Sequence, residues 1–244
     1  METKLYREMY QQEKRHWWFV GRRKIIHSFL QQCIHTPRAS ALDVGCGTGF
    51  NLELLREFSN DVQGLEPSSE VVSFLQQERA DFPIIHGTFP EDAMSKTYDI
   101  VTLLDVLEHI DDDEAALKKI EKLLAPDGIA LITVPALSFL WTEHDTLHHH
   151  KRRYTKKELI EKIGRSTHLE IEQISYMNFL LAPMIMAIRM IKKILHARPD
   201  KSDLFAVSAI PNAILIGIFS FELHILRFIN FPFGISLICV LRKK

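Results

Sequence analysis

The stretch ALDVGCGTGF, Ala41 to Phe50, decides the fold. An apolar run from Ala41 to Val44 ends in three alternate glycines, Gly45, Gly47 and Gly49, and FNLELLREF then continues with helical spacing. A run this short, closed by glycines, predicts a buried strand followed by a tight turn. Glycine lets the backbone bend sharply and lets a ligand approach it closely. The helix start beyond the turn offers unpaired amide hydrogens. Glycine-rich turns of this kind serve several nucleotide-binding folds, so the pattern alone is weak. Two carboxylates sharpen it. Asp43 stands just before the turn, where it would repel a pyrophosphate. Glu66 ends the next apolar run, DVQGLEPS, where it is placed to accept hydrogen bonds from ribose hydroxyls. The predicted ligand therefore carries a ribose and an ammonium group but no pyrophosphate, which disfavours an NAD-dependent oxidoreductase. Cys46, between two of the glycines, reads as a small residue in a crowded turn.

Outward from this turn, strand and helix patterns alternate. SEVVSFLQQER is helical, FPIIHGTF is a third strand and TYDIVTLLDVLEHI contains a fourth. DDDEAALKKIEKLLAPDG reads as a helix with acids at its start and Gly128 past its end, the favoured polarity. Asp111, Asp112, Asp113 and Glu114 are read as capping and dipole compensation rather than as a metal cluster. GIALITVPA is a fifth strand, LEIEQISYM a sixth and ISLICVLRKK a seventh. TKKELIEKIGRSTH is a helix with Thr155 as N-cap and Glu158 completing a capping box. Such alternation predicts an α/β domain, a Rossmann-like, doubly wound, seven-stranded sheet. Before it, Lys4 to Gln32 reads as helical, with Trp17, Trp18, Ile25, Ile26 and Phe29 as apolar anchors. The predicted organisation is a helical cap over 1–36, the sheet domain over 37–178 and 231–244, and an apolar helical insertion over 179–230.

The totals set the class. The chain has 244 residues, 46% hydrophobic and 25% charged, enough for one sizeable core. A formal net charge of −1 argues against general nucleic-acid binding. Cys33, Cys46 and Cys239 are scattered and odd in number, which fits neither a metal framework nor a disulfide one. The polar start METKLYREMYQQEKRHWW does not read as a secretory signal, so the expected location is cytoplasmic.

The order LDVGCGTG, GLEPS, YDIVTLLDVLEHI and LLAPDGIALITVP resembles the class I S-adenosylmethionine-dependent methyltransferases. The resemblance implies S-adenosylmethionine as cofactor and S-adenosylhomocysteine as product. It implies that Asp43, Gly45 and Gly47, with Cys46 and Gly49 in the same turn, line the methionine portion. It implies that Glu66 holds the ribose, that Thr88 and Phe89 flank the adenine, and that Leu104 and Asp105 face the sulfonium. Many relatives carry an aspartate where Thr88 stands.

Two further stretches, HWWFVGRR from His16 to Arg23 and WTEHDTLHHHKRRY from Trp141 to Tyr154, resemble a bacterial subgroup associated with envelope glycan or lipid pathways. The second follows strand five, at the sheet edge where open parallel sheets bind ligands. Histidine suits proton removal near neutral pH. His144, Asp145 and His150 are therefore candidates for a base and its orienting carboxylate, and His109 is a second candidate base. Arg152 and Arg153 are candidates for clamping an anionic group on the acceptor. Tyr154 is placed to close the pocket, and Trp18 to act as a lid or a core anchor. Arg22 and Arg23 are candidates for reaching the cofactor carboxylate. His148 and His149 read as solvated, and no metal site is expected, because methyl transfer needs none.

The insertion contains FLLAPMIMAIRMIKKILHAR, which puts Arg189, Lys192, Lys193 and His196 on one helical face, the pattern of a helix lying in a membrane interface. The run LFAVSAIPNAILIGIFSFELHILRFI follows, with Glu222, His224 and Arg227 inside it. A single crossing would strand the seventh strand on the wrong side of a bilayer. The expectations are a monotopic hairpin on the inner face of the cytoplasmic membrane, a dimer interface or a substrate lid. The function read from the sequence is O-methylation of a small or lipid-linked acceptor. The alternative is a non-catalytic sensor or scaffold for an adenosyl ligand.

Overall fold

The computed structural model describes residues 3–92, 96–194 and 207–244. Its centre is one seven-stranded sheet in the order β3-β2-β1-β4-β5-β7-β6. The strands are β1 (Arg38–Val44), β2 (Ser59–Glu66), β3 (Ile84–His86), β4 (Tyr98–Leu104), β5 (Leu124–Pro135), β6 (Glu170–Met177) and β7 (Ser236–Arg242). The first five pair in parallel, as the alternation of strand and helix predicts. β7 runs antiparallel between β5 and β6, so the sheet is mixed. β1, β4, β5 and β7 are buried nearly throughout, which is why they read as unbroken apolar runs rather than alternating ones.

The N-terminal cap is two helices rather than one. α1 (Thr3–Glu13) and α2 (Trp17–Cys33) part at His16, whose side chain accepts a hydrogen bond from the Trp18 amide and so caps α2. α3 (Leu52–Leu55) is far shorter than FNLELLREF suggested, and β2 begins at Ser59 soon after it. α4 (Ser69–Glu78) is capped by Ser68. α5 (Asp113–Leu123) is capped by Asp112, as expected for an acidic start. It ends before LAPDG, because Leu124 already pairs with Tyr98 as the first residue of β5. α7 (Lys156–Ser166) has the expected Thr155–Glu158 capping box. The presumed loop after β5 contains a short helix, α6 (Glu143–Leu147).

The insertion forms α8 (Ala182–Ile194) and α9 (Ala209–Leu226). α9 packs along α2. Phe219, fully buried, lies against Trp17, Trp18 and Gly21, and a Cβ on Gly21 would overlap its ring. Glu222 on the same buried stripe accepts from the Leu180 amide at 3.3 Å, and burial pushes its carboxyl up to about 7. The opposite stripe of α9, with Ile210, Ile214 and Phe221, is apolar and exposed. α9 is long and apolar enough to cross a membrane, yet the strands that flank the insertion, β6 and β7, lie side by side in one sheet.

Of the basic face expected on α8, only the Arg189 side chain lies within the described residues. Arg189 turns inward, donating to the Leu140 carbonyl at 3.1 Å, and burial lowers its guanidinium to about 10. An arginine that satisfies a loop carbonyl is not presented to an anionic surface. The side chains of Lys192 and Lys193, and all of His196, lie outside the described residues.

Candidate active site

The glycine turn has the conformation its residues require. Gly45, Gly47 and Gly49 have φ of 67°, 53° and 75°, the left-handed region open to glycine. At Gly45 a side chain would also strike Val106, so the turn is packed against the end of β4. Glu66, at the end of β2, accepts from the Gly47 amide at 3.0 Å and the Ser68 amide at 3.1 Å. One carboxylate thus ties together the turns that follow β1 and β2. Burial raises its pKa, against the two amide hydrogen bonds.

Asp43 is buried beneath the turn and accepts from Thr102 Oγ1 at 2.6 Å. Burial pushes its carboxyl up to about 7, opposed by Thr102 and the Arg22 charge. Cys46 is buried against Gly64, and burial pushes its thiol far up, which keeps it neutral. Phe89 is buried beside the exposed Thr88, whose amide donates to Asp92 Oδ2 at 2.5 Å.

Two residues of the cap enter this region. Glu13, at the end of α1, accepts a hydrogen bond from the buried Thr48 hydroxyl inside the glycine turn. Burial pushes Glu13 up to about 7. Arg22, buried on α2, donates to Thr133 Oγ1 at 2.9 Å and pairs with Asp105 Oδ2 at 3.1 Å. Asp105 follows Leu104, the half-buried last residue of β4, and takes the left-handed φ of 59°. It is held there by its amide on Thr133 Oγ1 at 3.1 Å and by its carboxylate accepting from the same hydroxyl at 2.9 Å. That backbone conformation is uncommon for a residue other than glycine, and aspartate is among those that tolerate it best. The Arg22 guanidinium, a candidate for the cofactor carboxylate, is engaged by Thr133 and Asp105. Trp18 is half-buried and stacked near Phe219, the anchor reading rather than the lid.

The histidine-rich loop after β5 folds over the turn that follows β4. Asp145 is buried and central. It pairs with Arg153 Nη2 at 2.7 Å, receives Arg153 Nε at 2.9 Å and lies 2.9 Å from His150 Nδ1. Burial works against its ionisation, but His150 and Arg153 hold its carboxyl well below the usual range. The predicted pairing of His150 with Asp145 is therefore present. His109 lies beside it, with ring centroids 4.8 Å apart. Burial and the neighbouring His150 lower the pKa of His109. His144 is on α6, and its side chain lies outside the described residues.

The basic end of the loop differs from expectation. Arg153 is buried and also donates to the Ala136 carbonyl at 2.9 Å. Tyr154 is buried with its hydroxyl on Asp113 Oδ2 at 2.9 Å, so it cannot swing over a pocket. Arg152 pairs with the same carboxylate at 2.8 Å. Asp113 also receives Lys162 at 2.8 Å. Sequence reading assigned Asp113 to helix capping alone; it is the buried hub that fastens the loop to α5 and α7. The clamp predicted from Arg152 and Arg153 is thus spent on internal carboxylates.

A methyltransferase-domain family model matches residues 15–177. The chain belongs to this methyltransferase family. A dTDP-3-amino-3,6-dideoxy-alpha-D-glucopyranose N,N-dimethyltransferase of Streptomyces fradiae is 29% identical over 103 residues, 40% of each chain. A ubiquinone biosynthesis O-methyltransferase of Psychrobacter arcticus is 30% identical over 100 residues, 38% of this chain and 39% of that one. The chain thus spans about two-fifths of the length of the curated relatives it matches. A TehB-like S-adenosylmethionine-dependent methyltransferase structure from Corynebacterium glutamicum shares the fold, with a TM-score of 0.53 and 19% identity over 89% of this chain and 87% of that chain.

Proposed function

We propose that this methyltransferase moves a methyl group from S-adenosylmethionine to an oxygen of a small or lipid-linked acceptor. The carrying observation is the carboxylate frame of the three-glycine turn: Asp43 beneath it and Glu66 bonded across it at 3.0 Å. Glu66 has an acceptor geometry suited to ribose hydroxyls, and Thr88 and Phe89 follow β3 beside it. Leu104 and Asp105 end β4 on the same sheet edge, the side expected for the sulfonium. Negative side chains there favour a cationic ligand and not a pyrophosphate.

Transfer is an in-line displacement. The acceptor oxygen forms a bond to the methyl carbon while the carbon–sulfur bond breaks, its electron pair passing to the neutral thioether. Alignment supplies much of the acceleration. The acceptor's proton has to leave, and an imidazole oriented by a carboxylate serves that purpose. His150, held by Asp145, and His109 beside it supply this face. The relatives include both N- and O-methyltransferases by name; the oriented imidazoles favour oxygen here. The exposed apolar stripe of α9 supports an acceptor carried on lipid and a peripheral contact with the membrane's inner face. The test is turnover: the protein, methyl-labelled S-adenosylmethionine and a cell-envelope lipid extract should yield S-adenosylhomocysteine and a labelled lipid-phase product. Binding of the cofactor with no product from lipid or water-soluble extracts would instead support an adenosyl-ligand sensor.

A further inference from the structure

Glu108 follows the turn after β4 and is fully buried, with neither carboxylate oxygen hydrogen-bonded among the described residues. A bare buried carboxylate is costly unless something cationic meets it. The charges of Arg22 and Arg153 ease its ionisation and that of Asp105 opposes it, but none of the three is hydrogen-bonded to it. One ligating atom each of Glu108, His109 and His150 lies within 4.8 Å of the other two. Glu108 and His109 are adjacent in the chain, whereas His150 arrives from the loop after β5, fastened there by the Lys151 amide on the Glu108 carbonyl at 2.9 Å.

We propose that Glu108, His109 and His150 form a binding site for a divalent first-row transition-metal cation. Two features beyond their proximity support it. His150 Nδ1 is already occupied by Asp145 at 2.9 Å, which leaves Nε2 as the ligating atom. A carboxylate behind a ligating imidazole is the recurrent outer partner of such sites, fixing the tautomer and raising ligand basicity. His109 is placed beside His150 by its position next to Glu108 in the chain, with the two imidazole rings 4.8 Å apart between centroids. Two nitrogens and one oxygen suit zinc, manganese or iron(II) better than magnesium or calcium. Bonds of about 2.1 Å would draw the three atoms inward by roughly 1 Å, within the reach of side-chain torsions.

The sequence alone gives no geometry for a metal site, and the reaction needs no metal; the fold supplies the geometry by bringing His150 to Glu108 and His109. The cation's existence does not depend on the proposed reaction; only its role does. For an oxygen acceptor, a cation bound there would supply Lewis-acid polarisation of a hydroxyl beside it. With the cation in place His109 and His150 would serve as its ligands; without it they keep the proton-accepting role proposed above.

The test uses untagged protein stripped with chelator, without S-adenosylmethionine or acceptor. Calorimetric titration with Zn2+ and, separately, Mn2+ should show one site. Binding of Co2+ should give the visible absorption of a nitrogen- and oxygen-coordinated ion. Glu108→Gln and His150→Ala should each weaken the site at least tenfold, and His149→Ala should leave it intact. Circular dichroism melting checks that each variant is folded; His109→Ala replaces any that is not. No stoichiometric binding of Zn2+, Mn2+ or Co2+ would overturn the proposal. So would binding that survives in folded Glu108→Gln and His150→Ala, or that disappears in His149→Ala.

Discussion

Arg22 Nη1 lies 3.1 Å from Asp105 Oδ2, joining the N-terminal cap to the end of the fourth strand. The guanidinium is 9% exposed and the carboxylate 28% exposed, so solvent screens the pair only in part. Arg22 also lowers the charge cost of Asp43, Glu13 and Glu108. Replacing it by methionine keeps the volume and removes the common counter-charge. Urea unfolding at neutral pH should show a loss of about 3 kcal/mol, the scale for breaking a buried pair. A loss below about 1 kcal/mol would mean that the pair behaves as a surface one.

Glu66→Gln keeps an acceptor for the Gly47 amide but removes the charge offered to a ribose. Calorimetry should show S-adenosylmethionine and S-adenosylhomocysteine binding weakened by roughly 10- to 100-fold, from the ~1.5–3 kcal/mol of a charged hydrogen bond. NAD should not bind to either protein. Unchanged affinity would place the ribose elsewhere.

Cofactor affinity should depend on pH near neutrality. Burial pushes both Asp43 and Glu13 up to about 7 in the free protein. A cationic ligand stabilises the ionised forms, so their pKa values fall on binding and protons are released. Affinity should therefore rise as pH increases from about 5 to 8, by up to tenfold per unit for each group that couples. Asp43→Asn should flatten the profile and weaken binding at pH 8. A flat wild-type profile would show that neither carboxylate senses the ligand.

The α2–α9 packing sets another test. Gly21→Ala puts a methyl group into the Phe219 ring, and overpacking costs typically 1–3 kcal/mol. Thermal melting should show that loss, and Phe219→Leu should recover part of it in the double variant. Independent, additive effects would mean that the two helices are not in close contact.

Membrane attachment should come from the apolar stripe of α9 rather than from Arg189. Changing Ile210, Ile214 and Phe221 to serine should reduce co-sedimentation with liposomes, while Arg189→Gln should alter it little. A salt-insensitive dimer that ignores liposomes, and is broken by the serine changes, would identify the stripe as a subunit interface.

What could be read in the sequence was what local chemistry dictates. Three glycines before a helix, an acid ending the second strand, and Thr155 spaced from Glu158 each carry their own reason. So does the run of parallel strands. The misses are contacts between distant segments. Glu13 gives no sign in its surroundings that it will meet Thr48. Asp113 looks like any acid at a helix start until Tyr154, Arg152 and Lys162 converge on it. Arg152 and Arg153 read as ligand-binding because charge shows in a sequence and the carboxylates that neutralise it do not. Glu108 was passed over because a single glutamate after a strand has no periodic signature; its burial shows only once the loop after β5 lies over it.

The antiparallel β7 has a consequence for the order in which the molecule is made. β6 touches the rest of the sheet only through β7, which the ribosome delivers after both α8 and α9. Until Ser236 to Arg242 has emerged, β6 has no partner strand and presents an open edge, and α9 can rest on α2 but cannot be locked there. The nascent chain therefore carries its most apolar helix before its sheet can close, a period in which a chaperone or a nearby bilayer competes with folding for the same surface.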